Sequence, residues 1–124
     1  MNPAEFEVLC VNDCSTDHSV DVIKEYMGRM PNLRLINRTV NSGAPMIPRN
    51  DAIEAAAGKY ILFLDNDDFL GEEALQRLND AAEKNDSDVI FGKYVGVNGR
   101  KVPQSQFKKG NRPYASIIDD NLVY

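Results

Sequence analysis

Apolar residues along this chain come in short runs separated by polar, turn-forming clusters, and their spacing alternates between two periods. Residues 6–11, "FEVLCV", form a compact run rich in β-formers that stops at the polar "NDCSTD", and they read as a buried strand. Ser15, Thr16 or Asp17 then supplies a side-chain oxygen to cap a helix. Over "SVDVIKEYMGRM" the apolar positions Val22, Ile23, Tyr26, Met27 and Met30 fall on one helical stripe, ended by Pro31 and Asn32. "LRLI", residues 33–36, alternates as a second strand. "NRTVNSGAP" is a loop, with Asn41 and Gly43 suited to positive φ. "IPRNDAIEAAAG" predicts a helix with Pro48 in its first turn and Gly58 as its stop. "YILFL", residues 60–64, is almost wholly apolar, as a strand covered on both faces would be. "GEEALQRLNDAAEKN" predicts a helix with acidic residues in its first turn. Asn98–Gly99, between "DVIFGKYVGV" and "RKVPQ", signals a hairpin. The Lys-rich remainder beyond Pro103 is weakly patterned.

Strand and helix alternating three times predicts an α/β fold of the doubly wound, Rossmann-like kind. Ligands in such sheets lie beyond the carboxyl ends of the strands. Both "NDCSTD" and "DNDD", residues 65–68, fall at such ends, so two acidic loops are expected on the same side of the sheet.

The net charge of -5 argues against a phosphate backbone as partner, so no nucleic acid is expected. No run approaches the roughly 18 apolar residues of a membrane span. Nor is there a charged-then-apolar secretory start. Cys10 and Cys14 are too few for a disulfide framework and read as reduced thiols of a cytoplasmic protein.

The aspartates of "YILFLDNDDFL" pose the chemical question, because adjacent like charges repel. Either water solvates Asp65, Asp67 and Asp68 at a turn, or a cation does. In the second case one carboxylate of Asp65-Asn66-Asp67 reaches a ribose hydroxyl, and the other holds a hard divalent ion, Mg2+ or Mn2+, that bridges diphosphate oxygens. Asp13 either accepts from a pyrimidine N–H or closes an Asx turn. Arg49, at a helix start where the dipole disfavours a cation, is relieved by an anionic ligand or by Asp13, or else pairs with a surface acid. Asp17 and Asp68 read as structural, and His18 as solvent-facing.

"VNDCSTDHS", the Asn-x-Gly loop "NSG", Arg49-Asn50 opening a helix, and "GKYILFLDNDD" resemble, in order and spacing, the nucleotide-sugar-binding half of the inverting family 2 glycosyltransferases. The resemblance runs from Phe6 to about Val95 and implies the GT-A fold. It places Asp13 on a uracil-type base, Arg49 near the nucleotide and its phosphates, Asp65 on the ribose, and Asp67 on the metal with Asp65 beside it. It also implies a nucleotide-diphospho-sugar donor, UDP-linked first, and Mn2+ or Mg2+.

Asn12 stands where the family commonly has aspartate, Cys14 where it has glycine, and Ala52 where glycine follows Arg-Asn. The family's usual first strand has no counterpart here, and both ends of the sequence read as cut from something longer. Residues 1–103 are therefore expected to be a partial GT-A domain, and 104–124 a weakly patterned continuation. Asp119 and Asp120 lie too near "DNDD" to be the family's general base, so no catalytic residue is assigned and the segment alone is expected to be inactive. The other reading is a non-catalytic nucleotide-binding remnant or assembly module. An absent strand between residues 6–11 and 60–64 would leave two open edges, so self-association is expected.

Overall fold

The computed structural model describes residues 1–90 and residue 92. The expected turn at Asn98–Gly99, the continuation 104–124, and Asp119 and Asp120 lie outside the described residues. The chain divides into two compact units, Met1–Phe63 and a second that opens at Leu64.

In the first unit a single 3-10 turn, Pro3–Glu5, is closed by Asn2 and Glu5. Asn2 Oδ1 accepts from the amide of Ala4 at 3.0 Å, and the Glu5 carboxylate accepts from the amide of Asn2 at 2.6 Å. β1 (Val8–Asn12), α1 (Ser19–Met27), β2 (Leu33–Asn37) and α2 (Met46–Ala55) follow. β1 and β2 pair in parallel, from Val8 opposite Leu33 to Asn12 opposite Asn37. Parallel neighbours need a crossover, and α1 supplies it. α1 packs on β2 and α2 on β1.

Local chemistry sets the ends of these elements. Asp17 Oδ1 accepts from the amide of Ser19 at 2.9 Å and opens α1. The helix closes at Met27, a turn before the predicted Met30, where the amides of Arg29 and Met30 both fold back to the Tyr26 carbonyl. Ile23 and Met30 are half-buried, whereas Val22, Tyr26 and Met27 of the same stripe stay exposed. Leu33, 7% exposed, is the centre of this unit's core. α2 ends at Ala55, ahead of the expected Gly58 stop, because Glu7 takes over there. One carboxylate oxygen of Glu7 accepts from the amide of Ala57 at 2.6 Å, and the other pairs with Arg34 at 2.9 Å. Arg34 also donates to the Ala55 carbonyl at 3.2 Å. The end of α2 is thereby held to the start of the sheet.

The predicted third strand is not a strand here. Residues 61–65 are irregular, and Tyr60, Ile61, Leu62, Phe63 and Leu64 are all exposed. Composition reports a preference for burial, but a strand exists only where a neighbour completes its ladder, and among the described residues the sheet is β1 and β2 alone.

The second unit contains α3 (Ala74–Asn85), seated by Ala81 and Ala82 at 5% and 3% exposure. The acidic residues expected in its first turn lie ahead of it. Glu73 is the N-cap, held left-handed at φ 58, and the first turn carries no acid. At the other end Asp86 adopts φ 48, and the amide of Ser87 reaches the Ala82 carbonyl at 3.1 Å, a left-handed helix stop usually given to glycine. Among the described residues no helix is long and apolar enough to cross a membrane.

Truncating the central core residue tests this packing. Leu33→Ala is expected to destabilise the fold by about 2–4 kcal/mol, because the sheet and the helix against it cannot collapse into the void. Urea titration should show a lower midpoint with an unchanged m-value.

Candidate functional site

The carboxyl ends of β1 and β2 are joined side by side. Asn12 donates to Asn37 Oδ1 at 3.1 Å and accepts from the amide of Ser15 at 2.9 Å. Asn12 thus uses its side-chain amide both as donor and as acceptor. The chain then turns sharply at Cys14, whose φ of 62 is the left-handed conformation that favours glycine. The cysteine adds a contact that glycine would lack: its Sγ donates to the Arg38 carbonyl at 3.1 Å. The amide of Arg38 in turn donates to the Asn12 carbonyl at 3.0 Å. The backbones of the two loops are thus tied before any functional side chain is considered.

Asp13 points from this junction into the loop that follows β2. Its two carboxylate oxygens share the amide of Ser42, each at 3.0 Å, and Oδ2 also accepts from the Ser42 hydroxyl at 2.6 Å. The Asn41 side chain donates to the Asp13 carbonyl at 2.7 Å and accepts from the amide of Gly43 at 2.8 Å. Gly43 takes the positive φ of 68 that the sequence suggests; Asn41 instead shapes the loop through its side chain.

Arg38 completes the arrangement. Its Nε lies 2.9 Å from Asp13 Oδ1, and its Nη1 donates to Asp51 Oδ2 on α2. The Nε is buried against Asp13 as one half of this ion pair. The three side chains are 21–33% exposed, which shields the charges from full solvent screening. The Ser42 hydroxyl, then its amide and the Arg38 charge, hold the Asp13 carboxyl below the usual carboxylate range, against the opposing effect of partial burial. The bond that Arg38 donates to Asp51, against the opposing effect of partial burial, pushes the guanidinium pKa further up.

Arg49 lies in the first turn of α2 with its guanidinium over the Phe63 ring, 5.6 Å from the centroid. It is Arg38, not Arg49, that meets Asp13. Asp65 and Asp67 belong to the second unit, on an exposed turn in which the amide of Asp68 donates to the Asp65 carbonyl at 3.0 Å. Among the described residues no group of three or more potential metal-ligating side chains occurs. Two carboxylates on an open turn still suit a hard divalent ion whose remaining ligands are phosphate oxygens and water. His18 is exposed beside Asp21, 3.6 Å away, and has no part in the site.

The family model "Glycosyl transferase family 2" matches residues 2–122. The chain belongs to glycosyl transferase family 2. It is 47% identical over its whole length to a poly(ribitol-phosphate) beta-glucosyltransferase of Bacillus spizizenii, of which it covers 19%. It is 39% identical over 97% of its length to the poly(ribitol-phosphate) beta-N-acetylglucosaminyltransferase TarS of Staphylococcus aureus, of which it covers 21%. The crystal structure of S. aureus TarS 1-349 in complex with UDP-GlcNAc superposes on 87% of this chain, with a TM-score of 0.81 and 42% identity, and the match covers 31% of that chain. The chain therefore spans about a fifth of the length of the curated relatives it matches first. The fold class is GT-A, as the motifs imply.

Sequence reasoning singled out Asp13, Arg49, Asp65 and Asp67, and passed over Arg38, Ser42 and Asp51, which the structure joins to Asp13 directly or through Arg38. Arg38 follows directly on β2, at a strand carboxyl end, and that position was the available signal.

The lowered carboxyl of Asp13 has a definite pH signature. A depressed native pKa adds stability above the unfolded value of about 3.9 and loses it as pH falls through the native value. Asp13→Asn is expected to lower the denaturation midpoint at pH 7, and its gap from the unsubstituted chain should narrow as pH falls below the ordinary carboxylate value of about 3.9. Denaturant midpoints measured from pH 7 to pH 2 check both halves of that statement.

Proposed function

We propose that this chain forms the donor-binding part of an inverting glycosyltransferase that moves a sugar from a UDP-linked donor to an acceptor hydroxyl. The observation that carries the reading is the likeness to TarS, solved with UDP-GlcNAc, across 87% of this chain. The names of the relatives extend it to the acceptor: poly(ribitol-phosphate) is the polymer common to them, whereas glucosyl and N-acetylglucosaminyl transfer differ between them. The acceptor proposed is accordingly a hydroxyl on a ribitol-phosphate polymer.

Each candidate residue has a physical task in that reaction. Asp13, kept ionised by Ser42 and Arg38, accepts from the imide N–H of the uracil ring in a charge-assisted bond. Asp65 holds the ribose hydroxyls. Arg49 meets the diphosphate and stabilises the charge that grows on it as the acceptor oxygen displaces the nucleotide from the opposite face of the anomeric carbon. Asp67, with Asp65 beside it, holds Mn2+ or Mg2+. When bound, that ion supplies positive charge to the diphosphate oxygens and relieves the repulsion within "DNDD". No general base is assigned among these residues.

Self-association belongs to the same proposal. Among the described residues β1 has one ladder partner, and residues 60–64 expose apolar side chains. Open strand edges of this kind recruit other strands, and exchange across a two-fold axis closes them.

In the full chain, UDP with Mn2+ is expected to raise the melting temperature through ligand linkage. Asp67→Ala should abolish the shift, while Asp68→Ala retains most of it. Equal shifts in the unsubstituted protein and in Asp67→Ala remove Asp67 from the metal role. Light scattering at micromolar concentration is expected to give a mass above that of the monomer, and a monodisperse monomer overturns the self-association.

A further inference from the structure

We propose that Arg38 is a positioning residue of the nucleotide site: it bridges Asp13 to Asp51 and thereby fixes both the base-facing carboxylate and the helix that carries Arg49. The inference rests on the nucleotide-site reading above.

The geometry assigns Arg38 an inward role. Its Nη1 is committed to Asp51 Oδ2, its Nε is closed off from solvent against Asp13 Oδ1, and its side chain is only 21% exposed. Its backbone is fixed as well, by the amide bond to Asn12 and the thiol of Cys14 on its carbonyl, so the side chain starts from a set point. Asp51 lies on α2, the same ten-residue helix that carries Arg49 in its first turn. A shift at Asp51 is therefore a shift of Arg49, because both ride on one rigid helix.

Charge makes the bridge necessary. Without the guanidinium, Asp13 and Asp51 would stand as two carboxylates sharing one part-buried space and would repel each other. With it, one planar cation reaches both at once, which the single ammonium of a lysine does less well. Arg38 thus keeps Asp13 charged and oriented.

The test is a double-mutant cycle on ligand binding in the full chain. Uridine and UDP are titrated calorimetrically into the unsubstituted protein, Arg38→Gln, Arg38→Lys, Asp51→Asn and the Arg38→Gln/Asp51→Asn double variant, with far-UV circular dichroism as the check on folding. Arg38→Gln and Asp51→Asn are each expected to weaken uridine binding about tenfold, and the double variant should be no weaker than the worse single one. Arg38→Lys should recover part of the loss. Should Arg38→Gln fail to fold, Asp51→Asn and Arg38→Lys still decide, since neither removes the charge that faces Asp13. Unchanged uridine affinity in Asp51→Asn, or losses that multiply in the double variant, overturn the proposal while leaving the nucleotide site standing. Failure of the unsubstituted protein to bind UDP overturns both together.

Discussion

A single guanidinium between two carboxylates organises the first unit of this chain. Asp13 comes from the end of β1, Asp51 from α2, and Arg38 from the end of β2. None of these elements is held in place by a large core, since Leu33 is the one deeply buried apolar residue described in the first unit. With little apolar area to fix the helix on the sheet, directional polar contacts take on more of the placement. Isolated surface ion pairs do little of this kind, but a part-buried network that also accepts hydrogen bonds from Ser42 loses less to solvent and entropy.

The same logic explains why α2 is tethered both at its middle and at its carboxyl end. At the start of the sheet, Glu7 receives the amide of Ala57 while Arg34 spans Glu7 and the Ala55 carbonyl. The Ala57 amide is the main cause that holds the Glu7 carboxyl below its ordinary range. At the carboxyl ends of the strands, Arg38 takes Asp51. The helix presenting Arg49 is therefore anchored at two points, which leaves it little freedom to slide along β1. Such anchoring suits the diphosphate contact proposed for Arg49, because charge stabilisation depends on preorganised distance.

Two departures from the usual family residues are compensated within a few ångströms. Cys14 adopts the left-handed backbone that glycine would adopt more easily, and its thiol binds the Arg38 carbonyl. Asn12 replaces an acceptor-only carboxylate with an amide that both donates to Asn37 and accepts from Ser15. Each substitution adds a tie between the ends of β1 and β2, the junction from which Asp13 projects.

The sequence by itself determined β1, β2, the three helices and the family, because those depend on local periodicity, capping and ordered motifs that need no knowledge of neighbours. It also marked the positive φ at Gly43, where residue type and loop position sufficed. Tertiary structure decided the rest. Residues 60–64 carry a strand-like composition, yet pairing depends on a second chain segment being alongside, and no local pattern encodes that. Nor could spacing show that the arginine meeting Asp13 is Arg38 rather than Arg49, which lies over Phe63. Arg38 is 25 residues from Asp13 and 13 from Asp51 in sequence, and only the parallel pairing of β1 with β2, with α2 packed on β1, brings the three charges together.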